Sequence, residues 1–131
     1  AKAAIDGGAD ALTLINTVSA MGIDVETRRP LLSRGTGGLS GPAVHAIAVR
    51  MVHQVHRAVA RDADVPIIGL GGVSTWHDAA EFILAGATLV GIGTGLFVDP
   101  QTPLAVVDGL DRWVERQGAR SVSELVGAVV V

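Results

Sequence analysis

The chain has 131 residues, 49% of them hydrophobic and 18% charged, with a formal net charge of −3, a composition that describes one globular unit and excludes a disordered segment. Aromatic residues make up 3%, there is no Tyr, and acidic residues outnumber basic ones 13 to 10, so neither the basic footprint nor the stacking platforms of a nucleic-acid binder are present. The absence of Cys removes any disulfide framework, thiolate metal site or cysteine nucleophile. No stretch approaches the ~18 uninterrupted apolar residues of a membrane span, and the first residues do not read as a secretion signal, so the expectation is a cytoplasmic, untargeted chain.

In chain order, "AKAAIDGGAD" reads as the last turns of a helix, Ala1 to Asp6, closed by Gly7 and Gly8. It lacks an N-cap, and the expectation is a fragment of a longer protein. A short strand follows from about Ala11 to Ile15, then a long irregular stretch through "RGTGGLSGP" to Pro42. From there Val44, Ile47, Ala48, Met51, Val52, Val55 and Val59 recur with helical spacing on one face, with Pro42 in the first turn and His45, Arg50, His53, Gln54 and Arg57 on the solvent side. The run Pro66 to Leu70 has no polar alternation, the pattern of a strand covered on both faces in a parallel sheet. A helix from about Trp76 to Ala85 follows, with Ser74 or Thr75 as N-cap, Asp78 in the first turn and Gly86 as C-cap. The pattern then repeats with a strand from Thr88 to Ile92 and a helix from about Thr102 to Gln117, whose Val106, Val107, Leu110, Trp113 and Val114 share a face. Ser121 and Glu124 suggest a capping box for a final short helix. Alternating strands and helices imply a parallel α/β sheet, doubly wound or in a barrel, with no linker dividing residues 1–131.

Two consecutive strands end in glycine and hydroxyl residues: "IIGLGGVST" at Gly71 and Gly72, and "LVGIGT" at Gly93 and Thr94. In parallel α/β structures ligands gather at the carboxyl ends of strands, where glycines let main-chain N–H groups approach an anion closely. Tight turns alone would also use these glycines, but the same chemistry at two adjacent strand ends favours a phosphate. Asn16 and Thr17 follow the first strand at its carboxyl end. The Asn amide suits a planar amide or imide ligand, and an Asx turn is the alternative. His45, His53, His56 and His77 supply no third convergent ligand and read as surface residues, so no metal site is expected.

The segments "ALTLINTVSAMGIDVETRRPLLSRGTGGLSGPAVHAIAVRMV" and "VPIIGLGGVSTWHDAAEFILAGATLVGIGTGLF", in this order and spacing, closely resemble the C-terminal part of dihydroorotate dehydrogenase, most like its class 1B form. The resemblance covers nearly the whole chain. It implies a (β/α)8 TIM barrel that binds FMN and oxidises dihydroorotate to orotate in pyrimidine biosynthesis, with the three strands here as the sixth, seventh and eighth. Carried over residue by residue, Ile15 resembles a flavin contact, and Asn16 with Thr17 the pair that hydrogen-bonds the orotate ring. Gly41, in "GGLSGP", resembles a loop glycine whose backbone meets the cofactor, and Gly71, Gly72, Gly93 and Thr94 resemble the backbone clusters that hold the FMN phosphate. By the same resemblance the parent enzyme is a homodimer, and a separate iron–sulfur FAD subunit passes electrons to NAD.

The chain also departs from the family. Class 1 enzymes use a cysteine base on an early loop and a lysine at the end of strand five. There is no Cys here, and the single Lys, Lys2, falls on the helix after that strand. No catalytic residue is therefore expected within these residues, and the fragment alone is expected to be inactive. The nearest alternatives are the flavin domain of a dihydropyrimidine dehydrogenase-like enzyme and a non-catalytic half-barrel that binds a phosphorylated ligand.

Overall fold

The computed structural model describes residues 1–130. From the N-terminus, helix α1 (Lys2–Asp6) leads into strand β1 (Leu12–Leu14), followed by the short strands β2 (Val18–Ala20), β3 (Ile23–Asp24), β4 (Arg29–Pro30) and β5 (Gly37–Leu39). A 3-10 turn, Pro42–Val44, opens helix α2 (His45–Val55), which runs on as a π-helical turn, His56–Ala60. Strand β6 (Ile67–Leu70), helix α3 (Trp76–Ala85), strand β7 (Leu89–Gly91), the short helix α4 (Gly95–Val98), helix α5 (Thr102–Arg116) and a 3-10 turn at Val122–Leu125 complete the order.

The parallel sheet has the order β1-β6-β7, with Leu12 opposite Ile67 and Ile68 opposite Leu89. Hydrogen bonds extend the ladder beyond the formal strands: Ile15 N–H donates to the Leu70 carbonyl at 2.7 Å, and Thr88 N–H to that of Ile67 at 2.8 Å. Both strand-to-strand connections carry a helix, as parallel pairing requires. The Leu14–Ile15 peptide is cis.

The core lies between the sheet and α2 with α3. Phe82, Ile67 and Val52 are its largest fully enclosed side chains, with Ala48, Ala79 and Ala87 filling the narrow gaps. Gly69 permits this closeness, since a Cβ there would lie 2.6 Å from the Phe82 ring. Helix α5 packs on α3, with Trp113 against Ala80 and Ile83. At their crossing Gly109 leaves room for the Trp76 indole, whose ring atoms would collide with any Cβ at that position.

Helix α3 starts at a reciprocal capping box: Asp78 N–H reaches the Thr75 hydroxyl, and the Asp78 carboxylate accepts from the Ser74 and Thr75 N–H groups at 2.9 and 2.8 Å. It ends at Gly86 with φ +115, a left-handed cap that favours glycine. Burial by itself raises the Asp78 pKa, and the bonds from Ser74 and Thr75 outweigh it, so the carboxyl sits below its ordinary 3.8.

Several sequence expectations need correction. The irregular stretch between β1 and Pro42 contains two small antiparallel ladders, β2 with β5 and β3 with β4. Their alternation is too short to register as periodicity. Strand β6 is not equally covered on both faces: Ile67 and Gly69 are buried while Ile68 and Leu70 are half-buried. Ile47 and Val107, counted with the buried helix faces, are 42% and 63% exposed. The exit of α1 does use both expected glycines, Gly7 as C-cap at φ −84 and Gly8 at φ +90. Ser121 makes no capping bond: its hydroxyl pairs with that of Ser123 at 2.7 Å, and the Glu124 carboxylate accepts from the Arg120 side chain at 2.8 Å. Helix α4 was not legible at all.

The histidines also differ from a uniform surface set. The His45 side chain is only 12% exposed. His56 is half-buried, its ring beneath the Gly86 cap and beside Gly127. Burial, with Arg61 and His53 nearby, lowers its pKa from 6.5. Among the described residues no three His, Cys, Asp or Glu side chains cluster as a metal site would require, and no helix is long and apolar enough to cross a membrane.

Candidate functional site

A cavity of about 320 Å³ opens at the carboxyl ends of β1, β6 and β7. That volume is in the range of small-molecule clefts, and the position is where parallel α/β sheets bind ligands. All eight residues singled out in the sequence line it: Ile15, Asn16, Thr17, Gly41, Gly71, Gly72, Gly93 and Thr94. They come from four separate segments, brought together because the three strands end at the same level of the sheet.

Ile15 is 9% exposed and anchors the β1 end in the core. Beyond it the chain turns outward. The Asn16 side-chain carbonyl accepts from Thr17 N–H at 2.8 Å, which orients the amide and leaves its NH2 group with no partner among the described residues. The contact is one residue long and is not the two-residue reach of an Asx turn. Thr17 packs its side chain onto Gly38 of β5, where no Cβ would fit, so the small ladder after β1 holds this corner in place.

The glycines separate into two kinds. Gly71 and Gly72 have φ +146 and +74. A Cβ on Gly71 would lie 2.8 Å from that of Ala48, and one on Gly72 would lie 2.6 Å from the Gly41 carbonyl oxygen. Their lack of side chains is demanded by the protein itself, because the turn after β6 tucks under the start of α2. Gly93 is different, since a Cβ there would meet nothing within 4 Å and the position borders open cavity. The N–H groups of Gly72, Gly93 and Thr94 have no hydrogen-bond partner among the described residues. Together they offer a set of free main-chain donors in the cavity lining, the arrangement that receives an anionic oxygen cluster. Leu39, Val44, Leu70 and Val98 add apolar side chains to the same lining.

Sequence reasoning missed Ser40, Ser74 and Val98, which also line the cavity, and it missed His45, which binds the wall from behind. Ser40 and Ser74 adjoin motifs already singled out, so proximity in the chain was an available signal. Val98 had none, because its helix was unexpected.

The chain matches the family model described as Dihydroorotate dehydrogenase over residues 1–114. It is 52% identical over 131 residues to the dihydroorotate dehydrogenase B (NAD(+)), catalytic subunit, of Bacteroides fragilis, covering all of this chain and 42% of that protein. The Parabacteroides distasonis protein of the same name is 54% identical over 129 residues, 98% of this chain and 41% of that protein. Among solved structures, a DHODH from Eimeria tenella in complex with ferulenol superposes with a TM-score of 0.78 at 29% identity, over 97% of this chain and 33% of that one. The chain thus spans about two fifths of the length of the curated relatives it matches.

Proposed function

The chain belongs to the dihydroorotate dehydrogenase family, and from that premise we propose that it is the FMN-binding C-terminal part of an enzyme that oxidises dihydroorotate to orotate. The observation that carries the reading is the convergence of all eight motif residues on one cavity whose lining combines apolar side chains with free main-chain N–H donors. That combination suits FMN, a flat ring system joined to a phosphate. In this reading the three parallel strands are the sixth, seventh and eighth of one (β/α)8 barrel domain.

Bound FMN supplies the hydride acceptor for the reaction. The residues of this chain bind and orient. Gly72, Gly93 and Thr94 donate main-chain N–H groups to the phosphate, Gly71 sets the turn that presents them, and Gly41 and Ile15 meet the cofactor along its length. The Asn16 amide, with its oxygen already held by Thr17, turns its NH2 group to the pyrimidine ring beside the Thr17 hydroxyl. Removal of the neighbouring proton belongs to a residue outside this chain, because no Cys is present and Lys2 lies on α1, away from the cavity lining.

The same reading includes a cytoplasmic homodimer with a separate iron–sulfur FAD subunit that passes electrons to NAD. The name of the relatives, a catalytic subunit of an NAD(+)-linked enzyme, supports a divided assembly of that kind.

Anaerobic addition of dihydroorotate to the full-length protein tests the proposal. The flavin absorbance band is expected to bleach rapidly, and the 131-residue chain supplied with FMN is expected not to bleach. A full-length flavoprotein that stays oxidised under dihydroorotate would overturn the function.

A further inference from the structure

We propose that His45 is a positioning residue for the phosphate cradle, holding the Gly71–Gly72 peptide so that the Gly72 N–H points away from α2 and into the cavity. The inference rests on the FMN reading above and concerns how the donors are aimed. His45 Nδ1 lies 2.9 Å from the Gly71 carbonyl oxygen. A carbonyl only accepts, so Nδ1 bears a proton and donates it. The Gly71–Gly72 peptide is trans and planar, which sets its carbonyl and its N–H on opposite sides. With the carbonyl drawn to the imidazole, the Gly72 N–H faces the other way, and it has no partner among the described residues.

The glycines make this restraint necessary. At φ +146 and +74, Gly71 and Gly72 occupy conformations in which glycine has wide freedom, so the peptide between them could rotate and turn its oxygen toward the ligand. A carbonyl oxygen facing a phosphate would repel it. His45 opposes that rotation from a fixed position. Its side chain is 12% exposed and its ring stands edge-on to Phe82 at 88° with centroids 5.1 Å apart. On the far side Nε2 faces the Glu81 carboxylate at 3.2 Å and that of Asp78 at 3.9 Å. The imidazole therefore bridges the start of α2, the turn after β6 and the first turns of α3.

The test uses full-length protein stripped of flavin, with dissociation constants for FMN and for riboflavin, which lacks the phosphate, read from flavin fluorescence. In the wild type FMN binds more tightly than riboflavin. His45→Ala is expected to reduce that preference about tenfold, the size of one charge-assisted hydrogen bond, with riboflavin affinity unchanged. His45→Asn, whose amide nitrogen takes the place of Nδ1, is expected to restore the preference. His45→Gln, whose donor lies too far out, is expected not to, and this pair carries the test should the alanine variant fail to fold. Equal weakening of both ligands, an unchanged preference in His45→Ala, or equal behaviour of the Asn and Gln variants would overturn the positioning role. A wild type that does not distinguish FMN from riboflavin would instead overturn the phosphate reading beneath it.

Discussion

Gly93 is the position at which ligand binding and folding can be separated. In the full-length protein, Gly93→Val adds a side chain where a Cβ has no neighbour within 4 Å, so the flavin-free protein should unfold within roughly 0.5 kcal/mol of wild type. The added methyl groups extend into the cavity beside the Gly93 and Thr94 N–H groups, neither of which has a protein partner. Displacing one charge-assisted bond to phosphate costs about 1.5–3 kcal/mol, or roughly a 10- to 100-fold rise in the FMN dissociation constant. Gly72→Ala is the contrasting case. It forces an L-residue to φ +74, a cost of roughly 1–2 kcal/mol, and sets a Cβ 2.6 Å from the Gly41 oxygen and 2.9 Å from the His45 Cβ. Flavin loss in that variant would come with a lower melting temperature and could not be assigned to the ligand. The assay is thermal unfolding of the stripped protein together with FMN titration. Unchanged FMN affinity in Gly93→Val, with the fold intact, would refute the assignment of this strand end to the phosphate.

Asn16→Ala should lower kcat/KM for dihydroorotate by about 1–3 kcal/mol of transition-state stabilisation while FMN remains bound, and steady-state kinetics with a flavin count checks both halves. Gly109→Ala should lower stability by about 1–3 kcal/mol by overpacking α5 against the Trp76 indole, measurable by denaturant melting. The depressed Asp78 carboxyl contributes stability that is present above its unfolded value of 3.8 and is lost as pH falls through the lower native value. Asp78→Asn should therefore flatten the stability profile below about pH 4, read from melting temperatures across that range. Thr75→Ala removes the other half of the box and should cost about 1 kcal/mol at neutral pH.

Local physics made much of this chain readable. Apolar runs of four or five residues announced β1, β6 and β7, helical spacing announced α2, α3 and α5, and Ser74 or Thr75 with Asp78 marked a helix start to within one residue, because capping depends only on neighbours in the chain. The glycine and hydroxyl residues after β6 and β7 pointed to the strand ends as a candidate ligand-binding edge, where a cavity does lie, and the ordered motifs pointed to the family. None of these signals could say why each glycine is there. Gly71 and Gly72 answer to Ala48, Gly41 and His45, residues more than twenty positions earlier, while Gly93 answers to no protein atom at all. His45 looked like a solvent-facing member of an amphipathic helix. It is enclosed because the turn after β6 and the start of α3 close over it, a contact between segments 26 and 36 residues apart. Periodicity reports which face of a helix is apolar, and it carries no information about which polar residue on the other face meets a distant carbonyl. That was decided only when the parallel sheet brought three strand ends to one level and set α2 and α3 side by side behind them.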